Sequence, residues 1–216
     1  MAQFAGWLSA QASDATTARE WYLRSLEWAT EAGDPDMVAT ALSMRGHLAG
    51  LAGQPGPVVG LPPAAGRLPA SHGVRALAAQ QQARGHAMLG EAREVDRLLG
   101  HAVELVGQAA ANPPWAYFFD GSYLTLQRGL AYRPLGRSTE AVRLLSDGLA
   151  GLPDSTARTE WAAAYAGELA AAHLSVGDRA AAEAALRRVR AVAKATGSVR
   201  LRRQLRRLSA ALSADT

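Results

Sequence analysis

The chain has 216 residues, 49% of them hydrophobic, with a formal net charge of +4 and no cysteine. It is long and apolar enough for one solenoid or two small domains, and the missing cysteines exclude disulfides, thiolate zinc sites and a cysteine nucleophile. No basic stretch followed by a long apolar run opens the sequence, and the uncharged segment Gly46–Gly66 is too rich in glycine and proline to span a membrane, so a cytoplasmic protein is expected.

No run of alternating β-branched residues suggests a strand, and one phrase recurs five times. A small residue on one helix is followed by a turn residue seven positions on. Five positions later comes a small residue on a second helix, and one helical turn beyond it a bulky one. In chain order the copies read Gly6, Ser13, Ala18 and Tyr22, then Gly46, Gly53, Val58 and Pro62, then Ala83, Gly90, Val95 and Leu99. The fourth reads Gly129, Gly136, Ala141 and Leu145, and the fifth Ala170, Gly177, Ala182 and Leu186. Successive copies start 37 to 46 residues apart. Two antiparallel helices approach closely only where one offers Gly or Ala to a large side chain of the other, and a turn residue with φ > 0 ends the first helix. A hairpin of this kind leaves an apolar face open, so neighbours must stack.

The second copy, residues 35–70, is irregular. Pro55, Pro57, Pro62 and Pro63 stand where its second helix should run, which predicts a helix that is short, kinked or partly loop. Residues 112–120 interrupt the period before the fourth copy and concentrate Trp115, Tyr117, Phe118 and Phe119 ahead of Asp120. They suit either a cover over a groove, with Asp120 as a polar contact, or an aromatic plug between repeats. At the end, Leu201, Leu205, Leu208 and Leu212 form one helical stripe, which predicts a capping helix over 198–212. Nine basic residues and no acidic one lie between Ala184 and Ala214, so the remainder of the chain is about −5. Such an end suits a solvated outer face, or contact with nucleic acid, an anionic surface or an acidic partner.

The fourth copy, with Gly129, Tyr132, Gly136, Ala141, Leu145 and Pro153, resembles a tetratricopeptide repeat. The resemblance implies an all-α, right-handed superhelix of about five helical hairpins plus the capping helix, as a single domain over 1–216. The ordered set of stretches FAGWL at Phe4–Leu8, AREW at Ala18–Trp21, AGDPDMV at Ala32–Val38, PPWAYFFD at Pro113–Asp120 and GSVRLRR at Gly197–Arg203 is similar to the C-terminal sensor part of actinobacterial helix-turn-helix transcriptional regulators of the XRE type. No helix-turn-helix pattern precedes Phe4, so the DNA-binding half is absent and its activity does not carry over. What the resemblance implies is a regulatory module that binds a peptide, a small-molecule effector or a protein partner.

In arrays of this fold the first helix of each hairpin lines the concave face. Counting from the aligned small residues gives Trp7, Thr40, Ser43, His47, Gln80, Arg84, Met88, Tyr123, Leu126, Leu130 and Arg133 as groove candidates, with Trp115 and Asp120 from the aromatic insertion. Arg84 and Arg133 are the residue type that clamps a carboxylate through paired hydrogen bonds. Trp7, Met88, Tyr123 and Leu126 would supply apolar contact.

The five histidines are scattered. His86 and His173 fall on the site that Tyr132 holds in the fourth copy, so they are expected to pack inside their own hairpins. His101 and Glu104 share a helical face, but no third metal ligand accompanies them. No phosphate loop or nucleophile elbow is present. The expectation is a non-catalytic protein without cofactor or metal. The rival is a relative recruited as an enzyme or accessory protein in a specialised metabolic pathway, using Asp120, Tyr123 or His47. Trp21 and Trp28 on the first hairpin suit either a homodimer contact or burial against the second repeat.

Overall fold

All five aligned turn residues have left-handed backbone: φ is 66° at Ser13, 72° at Gly53, 76° at Gly90, 74° at Gly136 and 79° at Gly177. Each turn closes in the same way. The N–H of the following residue donates to the carbonyl five positions back: Asp14 to Ser9 (2.9 Å), Gln54 to Ala49 (2.9 Å), Glu91 to His86 (3.0 Å), Arg137 to Tyr132 (3.2 Å) and Asp178 to His173 (3.0 Å). This is the six-to-one bond that satisfies an orphan carbonyl at a helix C-terminus. In the last three copies a side-chain contact spans the same two positions. His86 Nδ1 meets Glu91 Oε2, the Arg137 guanidinium lies 3.9 Å from the Tyr132 ring centre, and His173 Nδ1 is 3.6 Å from Asp178 Oδ2. His86 and His173 thus lie within their own hairpin turns, each facing the acid that follows the turn residue. Gly33 and Gly197, at φ 63° and 66°, close the ends of two further helices.

The computed structural model describes residues 1–109, 112–116 and 119–214, and no strand occurs among them. They form two compact units, residues 1–124 and 125–216. The first holds α1 (Ala2–Gln11), α2 (Ala15–Glu31), α3 (Pro35–Leu51), α4 (Pro55–Gly66), α5 (His72–Met88) and α6 (Ala92–Gln108). The boundary between the units falls within α7 (Gly121–Tyr132). The second unit continues with α8 (Ser138–Ala150), a single turn α9 (Asp154–Ala157), α10 (Glu160–Ser175), α11 (Arg179–Thr196) and α12 (Val199–Ala214). Helix starts are set by side-chain caps: the carboxylates of Asp14, Asp34 and Asp178 each accept a hydrogen bond at 3.0 Å, from the N–H of Thr17, Met37 and Ala181 respectively.

In the first unit consecutive helices pack pairwise from α1 to α6, and α3 also packs on α5. Tyr22, Met44, Leu77, Leu105, Phe119 and Leu124 share one buried cluster; Ala39, Ala65, Val74 and Ala78 form another. Phe119 is 1% exposed, so this member of the aromatic insertion is a core plug. Tyr117 and Phe118 lie outside the described residues.

The proline-rich segment is a helix rather than part loop. Pro55 occupies its first turn, where a backbone N–H has no intrahelical acceptor to lose. Pro62 and Pro63 cannot donate to the carbonyls of Val58 and Val59, yet α4 continues to Gly66. Packing holds it there. α3 and α5 lie against it, Val58, Pro62 and Ala65 are buried, and Gly85 of α5 comes so close that a Cβ would stand 3.0 Å from the backbone of Val58 and Val59. The helix does run short, 12 residues against 17 in α3 and α5.

In the second unit a Cβ at Gly129 would stand 2.8 Å from Leu145, and one at Gly148 would stand 2.7 Å from Leu126, so α7 and α8 approach closely at two glycines. α10 packs on α8, α11 and α12. The leucine stripe of α12 faces inward: Leu201, Leu208 and Leu212 are buried, the last two in one cluster with Ala170 and Leu186.

Candidate binding surface

α3 and α5 pack together, and the polar residues on their facing sides form a row. Thr40, Ser43 and His47 stand at i, i+3 and i+7 on α3, while Gln80 and Arg84 stand one turn apart on α5. At one end of the row Trp115 Nε1 donates to Thr40 Oγ1 at 3.2 Å, and the Thr40 hydroxyl in turn donates to the Asp36 carbonyl at 2.7 Å. Roughly 10 Å along α3, at the other end, Arg84 Nη1 lies 2.8 Å from His47 Nδ1. A guanidinium only donates, so Nδ1 accepts and the proton of the neutral imidazole sits on Nε2.

The row emerges gradually from the interior. Ser43 and Gln80 are 0% exposed and are core residues between the helices, not members of an open wall. Arg84 and His47 are half-buried, and Met88, one turn beyond Arg84, is 39% exposed. The remaining N–H groups of Arg84 have no partner among the described residues. A cation fixed by a neighbouring ring, with donors to spare and an exposed thioether beside it, is arranged to receive a carboxylate and an apolar contact.

The other expected groove residues take other places. Trp7 is half-buried and its ring stacks on Phe4 with centroids 5.7 Å apart. Leu126 is 0% exposed because Gly148 admits it to the α7–α8 contact, which removes it from any open face. Asp120 is exposed and accepts from the Tyr123 N–H at 2.8 Å, capping α7, while the Tyr123 ring packs on Phe119 at 5.6 Å. Asp120 is thus engaged with backbone as a helix cap. Among the described residues no three His, Asp or Glu gather as a metal site, and the acid that His101 meets is Glu104, at 3.8 Å.

Arg133 belongs to a polar network of the second unit that the periodic reading does not reveal. Its Nη2 is 2.9 Å from Glu168 Oε2, and Gln204 Nε2 of α12 donates at 3.1 Å both to Glu168 Oε1 and to the Ala164 carbonyl. Gln204 reaches so far because Gly167 leaves space for it. Beside this, Gln127 Nε2 donates to the Tyr165 hydroxyl. Arg133 is thus charge-neutralised within its own unit, unlike Arg84. One signal is present in the sequence: Glu168 is flanked by the apolar and small residues Ala166, Gly167, Leu169 and Ala170 of α10, and a carboxylate in such a setting needs a partner.

No described helix is long and apolar enough to cross a membrane. No protein-family model and no curated protein matches the chain. Among solved structures it is similar to a putative kinesin light chain of Podosopora anserina built of nearly identical TPR-like repeats. The identity is 19%, over 90% of this chain and 95% of that one, with a TM-score of 0.51. A point variant of the same protein gives 19% identity over 91% and 94%, with a TM-score of 0.52. At such identity the likeness carries the fold alone, an array of TPR-like helical hairpins.

Proposed function

We propose that this TPR-like array is a non-catalytic binding module that holds an acidic peptide segment of a protein partner at the Arg84–His47–Met88 surface. TPR-like folds generally serve protein–protein interaction, which is the coarse part of the reading. The observation that carries the finer part is Arg84, pinned by His47 yet left with free donors beside an exposed methionine. Pre-positioning of a guanidinium lowers the ordering cost of binding a carboxylate. The similarity of the five sequence stretches to XRE-type sensor domains supports a regulatory use in the cytoplasm. There, a bound segment would shift the population of array conformations felt by an attached or partner domain.

The test is a panel of acidic peptides titrated against the full chain by fluorescence anisotropy, with Arg84→Gln and Arg133→Gln as variants. The reading expects Arg84→Gln to weaken the best hit at least about tenfold, the loss of one charge-assisted contact, while Arg133→Gln changes it little. Equal binding by the parent and Arg84→Gln would refute the arginine contact.

A further inference from the structure

The basic end of the chain differs in kind from the other charged surfaces. Several arginines elsewhere have an acid within reach: Arg97 pairs with Glu94 at 2.8 Å, Arg137 with Glu140 at 2.5 Å and Arg143 with Asp147 at 3.3 Å. On α11 and α12, Arg187, Arg190, Lys194, Arg202, Arg203, Arg206 and Arg207 are all exposed. None of the seven forms an ion pair among the described residues, although Glu183 stands one turn before Arg187. They fall in two stripes. Arg187, Arg190 and Lys194 follow i, i+3, i+7 on α11. Arg202, Arg203, Arg206 and Arg207 occupy the arc of α12 opposite its leucines. The two helices pack against each other. Seven like charges without paired counter-charges oppose folding by self-repulsion, and on α12 no acid at all is present to relieve it.

We infer that this face binds the phosphate backbone of double-stranded nucleic acid. Three features select that class among polyanions. Between the arginines of α12 there is no aromatic residue, so stacking on unpaired bases has no platform. The leucines of the helix point inward and are committed to the core, so the only large apolar side chain left on the outer arc is Val199, too little to anchor in a lipid surface. A protein partner would seek an apolar centre with a charged rim, and here a single exposed valine, Val199, stands among the charges. What remains is binding driven by counterion release. Arg202 to Arg206, and Arg203 to Arg207, each span one helical turn, about 6 Å. Two phosphate steps of one strand advance about 7 Å along the duplex axis. Arginine rather than lysine at all four positions suits forked contact with phosphate oxygens. Arg84 belongs to the other unit, and the role of this surface stands or falls independently of the peptide reading.

The experiment is anisotropy of a labelled 20-base-pair DNA duplex titrated with the full chain from about 50 to 200 mM salt. Expected is binding that falls linearly on a log–log plot, with a slope of about −4.5 to −6.3 for five to seven neutralised phosphates. The variant carrying Arg202→Gln, Arg203→Gln, Arg206→Gln and Arg207→Gln should bind at least tenfold more weakly at the lowest salt, with a slope shallower by about 3 to 4. Circular dichroism should show unchanged helix content, since glutamine suits exposed helix positions. Should that variant fail to fold, Arg187→Gln, Arg190→Gln and Lys194→Gln on α11 provide the same readout. Absence of duplex binding at 50 mM salt overturns the inference. So does binding that the substitutions leave intact, a salt-independent interaction, or tighter association with phosphatidylserine vesicles or poly-glutamate than with the duplex.

Discussion

Tyr22 lies so close over Gly6 that a Cβ on the glycine would stand 2.6 Å from Tyr22 Cε1. Because Tyr22 is 0% exposed, its ring has no free volume to retreat into. Gly6→Ala should therefore destabilise the protein by about 2 kcal/mol, as overpacking does, in urea denaturation followed by circular dichroism. Gly60→Ala is the contrasting case. Gly60 is on the exposed side of α4 with nothing near it, so alanine should gain up to about 1 kcal/mol of helix propensity. Equal losses at the two positions would contradict the close-approach account.

Ser13 is the one described non-glycine residue with left-handed backbone, at φ 66°, in a position that the other four hairpins fill with glycine. Ser13→Gly should raise stability by about 0.5 to 1 kcal/mol, since relief of side-chain strain outweighs the added freedom of the unfolded chain. Gly136→Ala, at φ 74° in open space, should cost about 1 to 2 kcal/mol by the same strain in reverse. Thermal melts of the pair suffice; shifts of the same sign would refute the argument.

Burial pushes the Tyr22 phenol well above the usual tyrosine range. The fold therefore holds that proton more tightly than the unfolded chain does. This contribution to stability is complete below the ordinary value of about 10 and is lost as pH rises above it towards the folded value. Alkaline unfolding should coincide with ionisation of Tyr22 in an ultraviolet titration, and Tyr22→Phe should move it to higher pH. The hydroxyl has no hydrogen-bond partner among the described residues, so Tyr22→Phe should also add about 1 kcal/mol at neutral pH. A loss there would mean that the hydroxyl has a partner after all.

Glu168 joins Arg133 of the α7 end to Gln204 of α12. The Glu168 side chain is 18% exposed and that of Arg133 33%, so removing one partner strands a partly desolvated charge. Glu168→Leu should cost about 2 kcal/mol, less than a fully buried pair because water reaches Arg133. Adding Arg133→Met should recover part of it. A coupling of at least about 1 kcal/mol in the double-mutant cycle is expected; strict additivity would show that the pair is not an energetic unit.

What the sequence makes legible is whatever depends on neighbours along the chain. The five turn residues, the small positions at Ala18, Val58, Val95, Ala141 and Ala182, and the inward leucines of α12 follow from backbone conformation and helical period. They reappear as positive φ and near-zero exposure. What depends on a partner some 35 to 40 residues away is not written in a period. Gln204 on Glu168, Arg84 on His47 and Gln127 on Tyr165 are matches between helices. Register counting puts Leu126 on an open face because it ignores Gly148 on the next helix. Proline rules anticipate that α4 is short but not that it stays helical through Pro62 and Pro63, because they describe a solvated helix, whereas this one is held by α3 and α5.

Gly33 ends α2 with the same left-handed step that closes each hairpin, and the Asp34 N–H donates to the Ala29 carbonyl at 3.0 Å, as Asp14 does to Ser9. The junction between the first two hairpins and the turn within each hairpin are one joint used twice. An array made this way is open to lengthening in its interior, since a duplicated hairpin spliced at Gly33 meets a familiar joint on both sides.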